Sequence, residues 1–198
     1  MDFYKRAANQ SKVVVDHELY LDEKLTGYNN HALTSLMLAN NAFPQKINAE
    51  EMKKFSDESL DLYFMNCSVM VDVESLARFG AMLANNGINP STGDRILKPH
   101  TVQAAVTLMS TCGMYNGAGK FNKDLGVPSK SGVAGGLITV IPGLGAFATF
   151  SPPLNDEGNT VRGIAVIYKL SALYNNFNLF HRDVNKADVT RKPYQTLI

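Results

Sequence analysis

Apolar positions recur at helical spacing through the first half of the chain and cluster into short runs in the second. Behind Asn29-Asn30, a capping pair, Leu33, Leu36, Met37 and Asn40 continue with a period close to 3.6, which predicts a helix. A second helix is expected from about Ser56, because Leu60, Tyr63, Phe64 and Cys67 fall at i, i+3, i+4 and i+7. A third starts at Asp72 as its cap, carries Leu76, Phe79, Gly80 and Leu83 as its buried stripe, and stops at Asn86-Gly87. Pro99 suits the first turn of a fourth, with Val102, Ala105, Val106 and Met109 facing inward. Residues 1–28 read as polar and irregular, apart from the β-branched run Val13-Val14-Val15.

Beyond Gly113 the period changes. Leu137–Ile141, Ala146–Phe150 and Val161–Tyr168 are short apolar or β-branched runs, split by Pro142-Gly143 and by the turn-rich Ser151–Gly158. They predict three antiparallel strands, the last running into a helix around Leu170–Tyr174. Helices first and a meander later is an α+β pattern, with helices packed on a sheet. Residues 1–182 are expected to form one domain, or a large part of one, and 183–198 a polar tail.

Composition narrows the function classes. With 45% hydrophobic and 19% charged residues, the chain is that of a soluble folded protein. A net charge of +1 gives no reason to expect nucleic acid or an anionic membrane as partner. Cys67 and Cys112 are expected to be two free thiols in a reducing, intracellular compartment, cytoplasmic rather than organellar. The N-terminal stretch has no apolar core of a secretory signal, and Gly135–Phe150 is too short to span a bilayer.

The common catalytic signatures do not occur: no Cys-x-x-Cys, no Gly-x-Ser-x-Gly, no phosphate-binding loop and no metal-ligand spacing among the four histidines. Two short words carry chemical content. Lys130-Ser131-Gly132 precedes a predicted strand, like the Lys-Thr/Ser-Gly element of penicillin-binding proteins and class A β-lactamases. There a lysine places charge beside the nucleophile, and small residues let a backbone N–H serve as an oxyanion donor. Alone, three common residues can also coincide. Cys112-Gly113-Met114-Tyr115 sets a tyrosine at a glycine-marked junction, where it is either a general base or an amphipathic residue at a seam.

A longer ordered series extends these words: Glu23-Lys24-x-Thr26-Gly27-x-x-Asn30, Leu60-Asp61-x-Tyr63-Phe64-x-x-Cys67-Ser68, and Leu83-Ala84-Asn85-x-Gly87-x-x-Pro90-x-Thr92-Gly93. Cys112–Tyr115, Gly126-x-Pro128-x-Lys130-Ser131-Gly132-Val133-Ala134-Gly135-Gly136, Ser151-Pro152-Pro153-Leu154 and Gly158-Asn159 follow in order. In these words, from Glu23 to about Phe180, the chain resembles the serine-dependent glutaminases, which share the fold of β-lactamases and penicillin-binding proteins. The resemblance implies hydrolysis of the side-chain amide of L-glutamine to L-glutamate and ammonia, with no cofactor and no metal. It implies Tyr115 as the base that serves a nucleophilic serine, and the Val133 N–H as half of an oxyanion hole. It also implies that Glu23, Asn30 and Tyr63 hold the α-amino and α-carboxylate ends of glutamine. A carboxylate suits the ammonium, and neutral donors suit the carboxylate. Gly27 between Glu23 and Asn30 indicates a turn with Asn30 near a helix start. Tyr63 is alternatively a core residue of the Leu60/Phe64/Cys67 stripe. Lys130 and Ser131 take supporting parts, Lys130 as electrostatic scaffold and Ser131 not as nucleophile.

The family's nucleophile belongs to a Ser-x-x-Lys helix, and no serine in residues 1–198 has a lysine three places on. The nucleophile segment and part of the sheet are therefore expected to be missing, so that residues 1–198 are inactive alone. Two functional readings stand: a glutaminase active in a longer form, or a non-catalytic glutaminase-like chain that pairs with a full-length glutaminase subunit. Self-association into a homo-oligomer is implied by the resemblance.

Overall fold

The computed structural model describes residues 1–10, 13–43, 48–174 and 177–180, so the expected tail at 183–198 lies outside the described residues. The chain divides into two compact units, Lys12–Val71 and a second made of Met1–Ser11 with Asp72–Ile198. Helix α1 (Asp2–Ala8) belongs to the latter and buries Ala7 and Ala8.

Lys12–Val71 is helical, closed at its ends by a two-residue ladder. Strand β1 (Val14–Val15) pairs antiparallel with β2 (Val69–Met70), Val14 opposite Met70 and Val15 opposite Val69. Between them run α2 (His17–Thr26), α3 (Tyr28–Ala39) and α4 (Ala49–Cys67). Helix α2 corrects the irregular reading of residues 1–28. It is capped by Asp16, whose carboxylate accepts from the Glu18 and Leu19 amides, but it buries no side chain and so leaves no apolar period to read. Polar contacts tie it to α4: the Tyr20 hydroxyl donates to Asp61 at 2.5 Å, and Lys24 pairs with the same carboxylate.

Helix α3 starts from Gly27 rather than from the asparagine pair, and Leu33, Leu36 and Met37 are exposed. Helix α4 begins two turns before the expected Ser56. Glu50, Glu51, Lys53 and Lys54 give those turns no apolar stripe. The start signal is instead a reciprocal cap, with the Glu51 amide donating to Asn48 and the Asn48 amide to Glu51. Of the predicted stripe only Phe64 is fully buried, against Gly27, where a Cβ would stand 2.6 Å from its ring.

The other unit is helices on a sheet. Helix α5 (Val73–Ala84) is capped by Asp72 as predicted, the Ser75 amide donating at 2.7 Å, and α6 (Pro99–Cys112) has its proline in the first turn. A 3-10 turn, Tyr115–Gly117, leads to α7 (Ala118–Leu125). Strands β3 (Ser129–Ser131), β4 (Gly136–Ile141) and β5 (Gly145–Phe150) form an antiparallel sheet in that order, with Ser131 opposite Leu137 and Ile141 opposite Gly145. Central β4 is buried on both faces, which explains why its run is apolar save for Thr139. Ile138 and Val140 meet Leu76, Phe79 and Leu83 of α5, with Gly80 admitting the sheet closely. Leu137 and Ile141 meet Phe121, Leu125 and Ile167. Each such aliphatic side chain contributes about 1.5–3 kcal/mol by burial.

The third predicted strand is a helix, α8 (Val161–Leu173). Its β-branched residues suggest a strand, but after the adjacent pair Gly163-Ile164 the buried and half-buried positions Ile167 and Leu170 recur at a spacing of three. Thr160 caps it, accepting from the Gly163 amide. The meander keeps three strands because Lys130-Ser131 supplies the first of them. Cys67 and Cys112 are both exposed, and neither is in a disulfide among the described residues. No helix among the described residues is long and apolar enough to cross a membrane.

Candidate functional site

The unit holding the sheet gathers Tyr115, Lys130 and Val133. Gly113 ends α6, and its carbonyl accepts from the Ser131 amide at 3.0 Å, which fastens the helix end to β3. The fit is close: a Cβ on Gly113 would lie 1.8 Å from the Ser129 carbonyl oxygen and 2.4 Å from that of Met109. Two residues on, Tyr115 takes a left-handed backbone with φ 50°. That costs an L-residue roughly 1–2 kcal/mol.

Strand β3 alternates in burial, so Lys130 faces outward while Ser129 and Ser131 face in. The Lys130 ammonium stands 4.8 Å from the centre of the Tyr115 ring and reaches back to the Ser131 carbonyl. A cation over an exposed aromatic face is worth about 0.5–1 kcal/mol. Ser129 hydrogen-bonds Thr139 at 2.9 Å across the sheet. Ser131 is 1% exposed, with its Oγ buried and unpaired among the described residues. A hydroxyl so enclosed is not presented to a substrate.

The turn between β3 and β4 is fixed by Gly132 N to Gly136 O and by Gly135 N to Gly132 O, both 2.9 Å. Gly135 has φ 100°, and a Cβ there would meet the Ser151 carbonyl oxygen at 2.4 Å, so only glycine fits. Val133 sits at the exposed crest of this turn, and its N–H donates to no group among the described residues. A Cβ on Gly158 would lie 3.7 Å from the Tyr115 ring and 3.9 Å from the Val133 side chain, so that glycine lies beside both.

Within Lys12–Val71 the three expected binding residues are only partly brought together. Asn30, in the first turn of α3, and Tyr63, on α4, line one groove of about 300 Å³ with Leu33, Met37, Phe43 and Ser59. Tyr63 is half exposed and is therefore not the core residue that its spacing also allowed; Phe64 takes that place. Glu23, half-buried in the last turn of α2, does not line this groove. A second cleft of about 530 Å³ is lined by Lys24, His31, Asp57, Glu58 and Asp61. Hydrogen bonds from Lys24 and then Tyr20 hold the Asp61 carboxyl below its ordinary pKa, and the bonds that Lys24 makes to Asp61 and then to Tyr20 raise its own.

The loop leading into α8 carries residues whose part is not legible from the sequence alone. Asn159, 1% exposed, donates from Nδ2 to the Met114 carbonyl at 3.1 Å, and Glu157 lies against Gly117. Gly158-Asn159 stood among the resembling words, but an asparagine after a glycine reads as an ordinary turn.

A sequence-family model described as Glutaminase matches residues 1–180. The chain is 42% identical over 159 residues to a glutaminase of Nostoc sp. (strain PCC 7120), covering 80% of this chain and 45% of that one. It is 38% identical over 171 residues to glutaminase 2 of Clostridium perfringens, covering 86% and 53%. A solved structure described as a probable glutaminase, ybaS, superposes with a TM-score of 0.78 at 30% identity, over 90% of this chain and 54% of the other. The chain thus spans about half the length of the curated relatives it matches.

Proposed function

The chain belongs to the glutaminase family, and from that premise we propose that it supplies the base and one oxyanion donor for hydrolysis of L-glutamine to L-glutamate and ammonia. The observation that carries the reading is the Lys130 ammonium over the Tyr115 ring, with Gly158 beside both that ring and the Val133 side chain. In this reading the Tyr115 phenolic oxygen takes the proton of a serine hydroxyl. The serine oxygen then attacks the amide carbon, and the Val133 N–H donates to the oxygen on which charge develops. The C–N bond breaks, ammonia leaves with the returned proton, and water cleaves the acyl ester to release glutamate. Glu23 receives the substrate ammonium, and Asn30 and Tyr63 donate to its carboxylate. The groove that Asn30 and Tyr63 share supports the last assignment. Lys130 biases the tyrosine by its charge, and the enclosed Ser131 holds the strand.

The nucleophile in this reading comes from a Ser-x-x-Lys segment outside residues 1–198, since no serine here has that spacing. Leu25, Leu33, Leu36 and Leu62 lie exposed on α2–α4, which supports association with further protein, a second copy or a full-length glutaminase subunit. The test is release of ammonia and glutamate by residues 1–198 alone, by a form that includes the Ser-x-x-Lys segment, and by that form with Tyr115→Phe. The short form should stay at background, and Tyr115→Phe should lower kcat by roughly 10²–10⁴. An unchanged kcat in Tyr115→Phe would remove the tyrosine from the chemistry.

A further inference from the structure

Tyr115 holds an unfavourable backbone conformation that its own turn does not explain. Gly117 N donates to the Met114 carbonyl at 3.1 Å, but a bond of that kind forms equally well in turns whose residues all have negative φ. The Met114 carbonyl belongs to the peptide plane that ends at the Tyr115 nitrogen. The direction of that carbonyl therefore sets the rotation about Tyr115 N–Cα. Its second lone pair accepts from Asn159 Nδ2.

Asn159 is itself tightly held. Its amide donates to Asn155 Oδ1 and its carbonyl accepts from the Asn155 amide, both at 2.9 Å. Thr160, next in the chain, is fully buried, donates to the Ser151 carbonyl at 2.9 Å and caps α8. On one side of Asn159 Glu157 lies against Gly117, and Gly158 lies beside the Tyr115 ring. The 155–160 loop thus wraps the Met114–Gly117 turn from a base anchored in the sheet and in α8.

We propose that Asn159 is a positioning residue: by fixing the Met114 carbonyl it holds Tyr115 left-handed and keeps its ring beneath the Lys130 ammonium. The significance of this for catalysis rests on the reading of Tyr115 as the base; the structural effect does not. Loss of the Asn159 donor leaves the Met114 carbonyl its Gly117 bond, which negative φ satisfies as well, and the Met114–Tyr115 peptide then turns toward negative φ and carries the ring from Lys130.

The test uses residues 1–198 and NMR, and needs no turnover. The Lys130 ε-methylene protons, held over the Tyr115 ring face, should resonate upfield of the other lysines. Asn159→Asp keeps the side-chain shape and removes the donor, and should abolish that displacement. Tyr115→Phe keeps both ring and backbone, and should preserve it. Retention of the upfield position in folded Asn159→Asp overturns the proposal. Should Asn159→Asp not fold, the unmutated chain decides: slow exchange of the Asn159 Nδ2 protons with a scalar coupling to the Met114 carbonyl supports the proposal, and fast exchange without coupling overturns it. If ammonia release by the serine-containing form is unaffected by Tyr115→Phe, the functional reading fails while the positioning by Asn159 still stands.

Discussion

Replacing Gly113 by alanine tests how the α6 terminus is joined to β3. The glycine has φ −71°, which alanine adopts freely, so any effect is one of space. The added carbon would stand 1.8 Å from the Ser129 carbonyl oxygen and 2.4 Å from the Met109 oxygen, and both are backbone atoms that no rotamer change can move. Relief requires β3 to retreat by more than 1 Å, to about 3 Å of separation, and that lengthens the 3.0 Å bond from Ser131 N to Gly113 O. Overpacking costs about 1–3 kcal/mol, and the lost hydrogen bond about 1 kcal/mol. The expected destabilisation is roughly 2–4 kcal/mol, or a fall in Tm of about 4–16 °C for a chain of this size. The matched control is Gly119→Ala in α7, where the new carbon meets nothing within 4 Å. That change should stabilise by up to about 1 kcal/mol through helix propensity. The assay is thermal unfolding followed by the near-ultraviolet circular dichroism of tyrosine, since the chain has no tryptophan. A Gly113→Ala Tm equal to or above that of the unmutated chain would refute the argument.

Three further outcomes follow from groups outside the candidate site. Burial, and then the hydrogen bond to Asp124, push the Tyr168 phenol up to about 12. Its contribution to stability is complete below pH 10 and lost as pH rises from 10 to 12, so Tyr168→Phe should flatten the fall of the urea midpoint in that window; an equally steep fall would contradict it. Asp61, held below its ordinary value by Lys24 and Tyr20, contributes stability that is present above about pH 4 and lost at lower pH. The gap in urea midpoint between the unmutated chain and Asp61→Asn should therefore narrow on acidification below pH 4, and a gap constant from pH 7 to pH 3 would count against the pairing. Thr160→Val removes both the α8 cap and the partner of the Ser151 carbonyl, and should cost roughly 2–3 kcal/mol in equilibrium denaturation; a loss under about 0.5 kcal/mol would exclude the capping role.

The elements legible in the sequence are those whose local signals agree with their packing. Asp72 and Pro99 mark helices whose inward stripes meet the sheet, and Pro142-Gly143 separates two strands joined by a tight turn. Helix α2 escaped because it is held by Tyr20, Lys24 and Asp61, and its apolar residues face outward. Helix α8 was misread because Val161, Ile164, Val166 and Ile167 favour strands locally, while Thr160 and the packing of Gly163 and Ile167 decide for a helix. At the candidate site, Tyr115 and Lys130 were named from short words, and they do meet in space. Asn159 was not given a role, because its effect passes through a backbone carbonyl 45 residues away, a contact that no periodicity encodes.

The ladder between β1 and β2 makes Lys12–Val71 an insertion in the topological sense. On the host side, Gln10 hydrogen-bonds Asp72 at 3.2 Å, so the points of departure and return are neighbours as well. Closing a loop of roughly 60 residues costs only about 1.2 kcal/mol more than closing one of 15, because the entropy grows as the logarithm of length. The closure entropy of an insertion attached in this way therefore changes little with its length. Glu23, Asn30 and Tyr63 all lie in the insert, and Tyr115, Lys130 and Val133 all lie in the host. In the proposed reading, the residues that receive the amino acid are encoded in one contiguous stretch, residues 12–71, and those that cleave its amide lie outside it.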